Sequence, residues 1–251
     1  MIIQIQKLIL IFTRITSFIV LTPGFSYKGF PNIAKVFISF SLTMIVYLMT
    51  PDIEVTGAYL LFIILIIKEV LFGLTLGFVS KLFFSASEIA GQFIDFKVGF
   101  SMGNIYDPST GTHVSNYGKV YYWLSITAFF LLNLHHRLIE SIIRSFNYVP
   151  INHVNIQNLG VEGIVKLFAL VFELGFNLAA PLIIVVLLTD IIMGTISRTI
   201  PQINVLMLGM PMKILVSILI FLVISSGVLN SIGKILEMMP GYMENFFQYF
   251  A

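Results

Sequence analysis

The sequence contains no cysteine and very little charge. The absence of cysteine excludes disulfide bonds, thiolate metal sites and a cysteine nucleophile. Charged residues make up 10% of the chain, against about 25% in soluble domains. The formal net charge of +2 is too small to favour nucleic acid as a partner. This composition therefore does not predict a soluble enzyme or a nucleic-acid-binding protein.

Motifs for catalysis or cofactor binding are also missing. The chain has no glycine-rich phosphate loop ending in Gly-Lys-Ser or Gly-Lys-Thr, no His-Glu-x-x-His and no Gly-x-Ser-x-Gly. His135 and His136 are adjacent, so on a helix their rings point about 100° apart and do not share a face. The pair could hold a metal with further ligands, or it could cap the C-terminal end of an apolar helix. We predict no catalytic residue, no metal and no cofactor.

Apolar residues dominate what is present. They form 58% of the chain, and the mean hydropathy is +0.98. A helix that crosses a hydrocarbon core of about 30 Å needs roughly 20 apolar residues. The N-terminal segment lacks a basic cluster and a cleavage site, so we expect it to be retained. We predict six candidate membrane segments: Ile2–Pro23, Ile33–Met49, Tyr59–Phe84, Tyr121–Leu134, Ile164–Ile196 and Val205–Val228.

Two of these segments fit poorly as simple spans. Tyr121–Leu134 is short, and Ile164–Ile196 is too long for one straight crossing and contains Pro181. The second segment could be a helical hairpin or a broken helix.

Five charges lie inside otherwise apolar stretches. Ionisable groups at membrane depth are costly and usually face a protein interior. They could pair with one another and fix helix packing, or they could form a proton or ion relay. The five are Arg14, Lys68, Glu69, Glu173 and Asp190.

A glycine-hinged segment lies within the polar stretch Ser85–Lys119. Its mixture of Phe, Met, Ile and Tyr is unusual for a solvated connector, and such side chains can yield when a substrate passes. It could be a gate or an ordinary re-entrant loop. Its residues are Gly99, Phe100, Ser101, Met102, Gly103, Asn104, Ile105, Tyr106, Asp107 and Pro108.

A second irregular segment separates the last two apolar blocks. Prolines remove backbone donors and disfavour helix in the preceding residue. Irregular backbone at membrane depth survives only when protein covers it or when it lines a wet cavity. The segment runs from Arg198 to Lys213 and includes Pro201, Gln202, Asn204, Gly209 and Pro211.

Three spaced motifs resemble the FliR family, the R subunits of the flagellar type III export gate. The resemblance extends over essentially the whole chain. Met210 and Met212 stand where Phe and Leu are usual, and Leu134 stands where Gly is usual. The motifs are Arg198-x-x-Pro201-Gln202-x-Asn204-Val205 with Gly209-x-Pro211-x-Lys213; Glu88-x-x-Gly91, Gly99 and Asp107-Pro108; and His135-His136, Ser145-Phe146 and Pro150.

The resemblance implies an all-α fold of membrane-type helical hairpins. It implies a P-like part, residues 1–163, fused to a Q-like hairpin part, residues 164–251. The segment around residues 99–117 would form a channel plug, and Arg198–Lys213 would form a hairpin turn packed against neighbouring subunits.

The resemblance also implies a role without enzymatic activity. The chain would join P-type and Q-type gate subunits, with the B-type and A-type export proteins, in the bacterial inner membrane within the flagellar basal body. It would help to form and seal the channel for unfolded flagellar proteins. An alternative is a secondary transporter with Arg14, Glu173 and Asp190 as coupling residues.

Overall fold

A computed structural model describes residues 2–26, 29, 31–51, 59–100, 115–151, 161–200 and 205–247. All regular secondary structure within these ranges is α-helical, which confirms the predicted fold class. The helices are α1 (Ile2–Leu21), α2 (Asn32–Met49), α3 (Tyr59–Val98), α4 (Asn116–Leu131), α5 (Leu134–Tyr148), α6 (Val161–Thr199) and α7 (Val205–Phe247).

Five of these helices, α1, α2, α3, α6 and α7, are long and apolar enough to cross a membrane. The remaining predicted segment, Tyr121–Leu134, was expected to be a single helix, and this prediction is wrong. A turn separates α4 from α5, and Asn133 adopts a left-handed φ of 55° within it. Asn tolerates this conformation better than most residues. With 16 residues, α4 is about 24 Å long, less than the hydrocarbon thickness.

The long segment Ile164–Ile196 lies within one helix, α6, so the hairpin alternative is wrong. Pro181 sits inside this helix of 39 residues. A proline removes one backbone hydrogen bond, whereas a hairpin would leave several backbone groups without partners in apolar surroundings. The helix therefore continues through the proline.

The chain forms two compact units, each assembled from separate stretches. Unit 1 contains Met1–Phe83, Phe129–Leu167 and Glu237–Ala251, and unit 2 contains Phe84–Ala128 and Phe168–Leu236. The predicted division of the chain after residue 163 is a different one, because it separates a P-like part from a Q-like part. It stays a prediction.

Within unit 1, α1 packs closely against α3. Leu10, Ile11 and Phe18 of α1 are buried. A side chain at Gly73 would collide with Ser17 and the Arg14 backbone, and one at Gly77 would collide with Leu21 and the Phe18 carbonyl. Two glycines one turn apart therefore let the two helix backbones approach, as small residues do in membrane helix pairs.

Within unit 2, α3 approaches both α4 and α6 through glycines. A side chain at Gly91 would collide with the backbone of Gly118 in α4, and one at Gly175 of α6 would lie 2.8 Å from the Ala86 carbonyl oxygen. Phe93 packs edge-on against Phe172 of α6, with ring centroids 5.6 Å apart. These contacts pack one face of the C-terminal end of α3 against α4 and α6 within unit 2.

Large apolar side chains also cover much of the outer surface. Val223 of α7 and Phe96 of α3 are each 77% exposed. Contiguous apolar surface of this kind marks a membrane or protein interface. Other examples are Leu48, Leu60, Phe172, Ile191, Ile192, Leu219 and Leu222.

Candidate gate segment and charged clusters

The predicted gate begins where α3 ends. Gly99 has a φ of 102°, a conformation that favours glycine, and its N–H donates to the Asp95 carbonyl at 3.0 Å. The Phe100 ring lies 6.2 Å from the Tyr117 ring. Ser101–Pro108, the rest of the predicted gate, lies outside the described residues, so its role stays a prediction.

Asp95 ties the end of α3 to the start of α4. The Ser115 hydroxyl donates to Asp95 Oδ2 at 2.6 Å, and the Tyr117 N–H donates to both carboxylate oxygens at 3.2 Å. Ser115 Oγ in turn accepts from the Gly118 N–H at 2.8 Å, as an N-cap residue does. The side chains of Asp95 and Ser115 therefore satisfy amides in the first turn of α4. They also hold the two ends of residues 101–114 together.

Tyr117 links this anchor to α7. Its hydroxyl donates to Ser217 Oγ at 3.0 Å, and its ring meets the Phe221 ring edge-on at 5.7 Å. Burial raises the pKa of the Tyr117 phenol, so the group remains a neutral hydrogen-bond donor. The start of α4 is thus held from two sides, by α3 and by α7.

A charged cluster joins three helices of unit 2. Asp190 of α6 accepts from Lys97 of α3 at 3.3 Å and forms an ion pair with Lys213 of α7. The three side chains are between 25% and 31% exposed. Asp190 and Lys213 were among the predicted functional residues, but Lys97 was not. The signal that could have identified Lys97 is its position just before the predicted gate segment.

The rest of the Arg198–Lys213 motif divides between two helices. Arg198 lies exposed in the last turn of α6, while Gly209, Pro211 and Lys213 lie in α7. The predicted bent turn is therefore shorter than expected, because α7 already begins at Val205. Helix extension satisfies backbone groups that an irregular segment would leave unpaired in apolar surroundings. Pro201, Gln202 and Asn204 lie outside the described residues.

In unit 1, Arg14 of α1 is fully buried and is bound by residues of α3, of α5 and of the C-cap that follows α5. Its Nε donates to Glu69 Oε2 at 2.5 Å, and Nη2 donates to Glu69 Oε1 and the Val149 carbonyl, both at 3.0 Å. Nη1 donates to the Ser145 carbonyl at 3.2 Å and to Ser145 Oγ at 3.3 Å. The guanidinium also lies over the Phe146 ring at 4.2 Å. Each of its five N–H groups therefore has a partner.

The remaining predicted charges lie in different surroundings. Glu69 is buried with Arg14, and Lys68, the next residue in sequence, is half-buried. Glu173 is exposed on α6 and forms no ion pair with any residue that the structure describes. The five charges therefore do not form one relay within the described part of the chain.

His135 and His136 open α5, so their predicted place at a helix C-terminus is wrong. Their ring centroids lie 4.1 Å apart, and the Asn133 turn ends α4 before them. His135 Nδ1 is buried without a hydrogen-bond partner among the described residues. Across the described ranges, no group of three His, Cys, Asp or Glu residues could hold a metal ion.

Comparison with known proteins gives one consistent match. The model of the family described as "Bacterial export proteins, family 1" matches residues 5–239. Flagellar biosynthetic protein FliR of Bacillus subtilis (strain 168) is 32% identical over 244 residues, covering 94% of this chain and 93% of the relative. FliR of Aquifex aeolicus (strain VF5) is 27% identical over 245 residues, covering 97% and 92%. FliR of Escherichia coli (strain K12) is 26% identical over 207 residues, covering 82% and 78%. The chain therefore belongs to bacterial export protein family 1, the family of the flagellar biosynthetic proteins FliR.

Proposed function

We propose that this chain is a membrane-embedded subunit of the flagellar protein export apparatus. The observation that carries the proposal is the family match across residues 5–239, together with five helices apolar enough to cross a membrane. As an R-type subunit it would help to form and seal the channel for unfolded flagellar proteins. Its place would be the bacterial inner membrane, within the flagellar basal body.

The exposed apolar surface supports a place among other subunits. P-type and Q-type gate subunits would cover it, and the B-type and A-type export proteins would join the same apparatus. Arg198 lies on α6 and Lys213 on α7, whose outer face carries Leu222 and Val223, 63% and 77% exposed. These residues would contact neighbouring subunits.

The chemistry of the buried charges supports a structural role over catalysis or solute transport. Arg14 has partners for all its donors, and Asp190 is already bound by two lysines. A coupling residue in a transporter must exchange its partner for a proton or ion during each cycle. The energy for export would then come from another component of the apparatus.

The anchor at Asp95 supports the gating role of the segment that follows α3. A segment that seals a channel needs fixed ends and a compliant middle. Asp95, Ser115 and Gly99 supply the fixed ends. We expect deletion of residues within Gly103–Gly111 to raise the ion leak of a reconstituted gate. An unchanged leak in an intact complex would overturn the plug role.

Assembly tests the proposed function directly. The chain would be expressed alone and with the P-type and Q-type subunits, and the mass of each detergent-extracted species would be measured. We expect a defined hetero-oligomer only on co-expression. Glu173→Gln combined with Asp190→Asn should weaken that assembly. Loss of small-solute uptake by the purified chain, with assembly unchanged, would favour a transporter instead.

A further inference from the structure

The Lys97–Asp190–Lys213 cluster has more positive than negative charge. Two ammonium groups share one carboxylate, and each side chain remains between 25% and 31% exposed. Asp95, the other carboxylate near the end of α3, is 3% exposed, and its oxygens accept hydrogen bonds from Ser115 and Tyr117 at the start of α4. No other described residue forms an ion pair with the cluster, so one of its positive charges is not compensated by any residue that the structure describes.

The cluster lies at one edge of an apolar layer. The residues between Lys213 and Lys234 in α7 carry no charge, and at 1.5 Å per residue they span about 30 Å. The residues between Glu173 and Asp190 in α6 are also uncharged and span about 24 Å. Asp190 and Lys213 thus mark the same boundary on two neighbouring helices.

The surroundings of the cluster are apolar and open. Ile191 and Ile192 are 63% and 57% exposed beside Asp190, and Leu215 is 52% exposed beside Lys213. A side chain at Gly194, one turn from Asp190, would meet nothing within 4 Å. An apolar partner surface fits this rim, but its centre must supply an anion, because a desolvated unpaired charge is strongly unfavourable.

We infer that this cluster receives a carboxylate side chain from a membrane helix of a neighbouring export-gate subunit. The inference rests on the proposed function and adds the chemistry of one subunit contact. The incoming Asp or Glu would accept hydrogen bonds from the free ammonium donors of Lys97 and Lys213. The completed site would contain two cations and two anions, with the apolar rim excluding water.

A carbodiimide that enters membranes tests this contact in the wild-type complex. The reagent converts a carboxylate into an O-acylisourea. The amine of a lysine in direct contact then attacks the acyl carbon, which forms an amide and releases the urea and a proton. We expect mass spectrometry to find an amide between Lys97 or Lys213 and an acidic residue of another chain. In the complex that Asp190→Asn still forms, even at lower yield, amides to Asp190 disappear and the interchain amide remains.

A charge-matched pair of variants supplies the control. Lys213→Gln should lower the yield of co-purified complex on the order of tenfold or more. Lys234→Gln removes the same charge from the other end of the uncharged stretch of α7 and should leave the yield near wild type. Because the crosslink is measured in the wild-type complex, it does not depend on how either variant folds.

Two results would overturn the inference. An intact complex that yields only amides to Asp190 of the same chain contradicts it. An intact complex without the interchain amide also contradicts it if bound anionic lipid is lost on Lys97→Gln and on Lys213→Gln. A lipid phosphate would then be the anion that binds the cluster. A wild-type chain that forms no complex at all overturns the proposed function instead, and the inference with it.

Discussion

Among single residues, Arg14 is the one whose substitution we expect to destabilise the fold most. Its guanidinium is fully buried and binds the equally buried Glu69 through two nitrogens. Arg14→Met would leave the Glu69 carboxylate without its cation, and breaking such a pair costs about 3–5 kcal/mol. We expect a clear fall in the thermal unfolding midpoint in detergent, measured by circular dichroism. Arg14→Lys should restore little of it, because an ammonium cannot reproduce the planar fork.

The double variant Arg14→Met with Glu69→Leu separates charge from packing. Removing both charges leaves no uncompensated ion, so we expect it to unfold at a higher temperature than Arg14→Met alone. An Arg14→Met midpoint equal to that of wild type would contradict the structural role of the pair.

Gly91 is a second residue whose substitution the structure makes predictable. A side chain there would meet the backbone of Gly118. We expect Gly91→Ala to lower stability by about 1–3 kcal/mol through overpacking, seen as a lower unfolding midpoint in detergent. Gly227→Ala is the matched control, because nothing lies within 4 Å of its added carbon. The control should be neutral or gain up to about 1 kcal/mol of helix propensity.

Residue pattern alone revealed which charges were out of place, but not what they bind. Arg14 and Glu69 stand out as ions in apolar stretches, yet they are 55 positions apart in sequence. Lys97 looked like an ordinary basic residue at a helix end. Its pairing with Asp190 depends on how α3 and α6 cross, which local sequence does not encode.

At the scale of helices, the start of α4 depends on a carboxylate from another helix. Asp95 and Ser115 bind the first amides of α4. A lost cap interaction costs about 1 kcal/mol, so Asp95→Ala should speed hydrogen exchange of the Tyr117 amide roughly fivefold. Ser225→Ala removes an exposed hydroxyl of α7 and serves as control. Equal exchange in both variants would refute the capping role.

Helix ends were harder to predict than helix positions. Tyr59–Phe84 was expected as one span, and α3 continues to Val98. The extra turns, residues 85–98, contain two Ser, two Ala and one Gly together with Glu88, Asp95 and Lys97, and are less apolar than residues 59–84. Their helical form is stabilised by the close packing of Gly91 and by Asp95, and both effects arise only in the folded chain.

At the scale of the whole molecule, what covers the outer apolar faces distinguishes a lone membrane protein from a subunit of a complex. Lipid covers them in the first case and other subunits in the second. Val223 is 77% exposed on α7. We expect Val223→Trp to leave the unfolding midpoint of the lone chain unchanged, because the larger ring meets no packed residue of its own chain. The same variant should reduce co-purification with P-type and Q-type subunits if one of them covers this face.

Leu60→Trp provides a comparison near the start of α3, where the side chain is 71% exposed. Full assembly with Val223→Trp would show that lipid, not protein, covers that part of α7. Quantifying the co-purified subunits by densitometry distinguishes the two outcomes.

The composition predicted the helical class and the membrane setting of this chain, but not its two compact units. Each unit combines stretches far apart in sequence, such as Met1–Phe83 with Glu237–Ala251. Apolar periodicity says which face of a helix is buried and not which helix buries it. The gate segment was predicted from its glycines and from the resemblance to a family. It stays a prediction, because only Gly99 and Phe100 of the segment are described.

The hydrogen bond between Asp95 and Ser115 bears on how far the length of the chain between them can vary. Because the Ser115 hydroxyl is hydrogen-bonded to the Asp95 carboxylate, the residues between them close a loop in the chain. Lengthening a closed loop adds little entropic penalty, about 0.6 kcal/mol per doubling. A change in the number of residues between Phe100 and Ser115 therefore need not disturb the hydrogen bonds that Asp95 accepts from Ser115 and Tyr117.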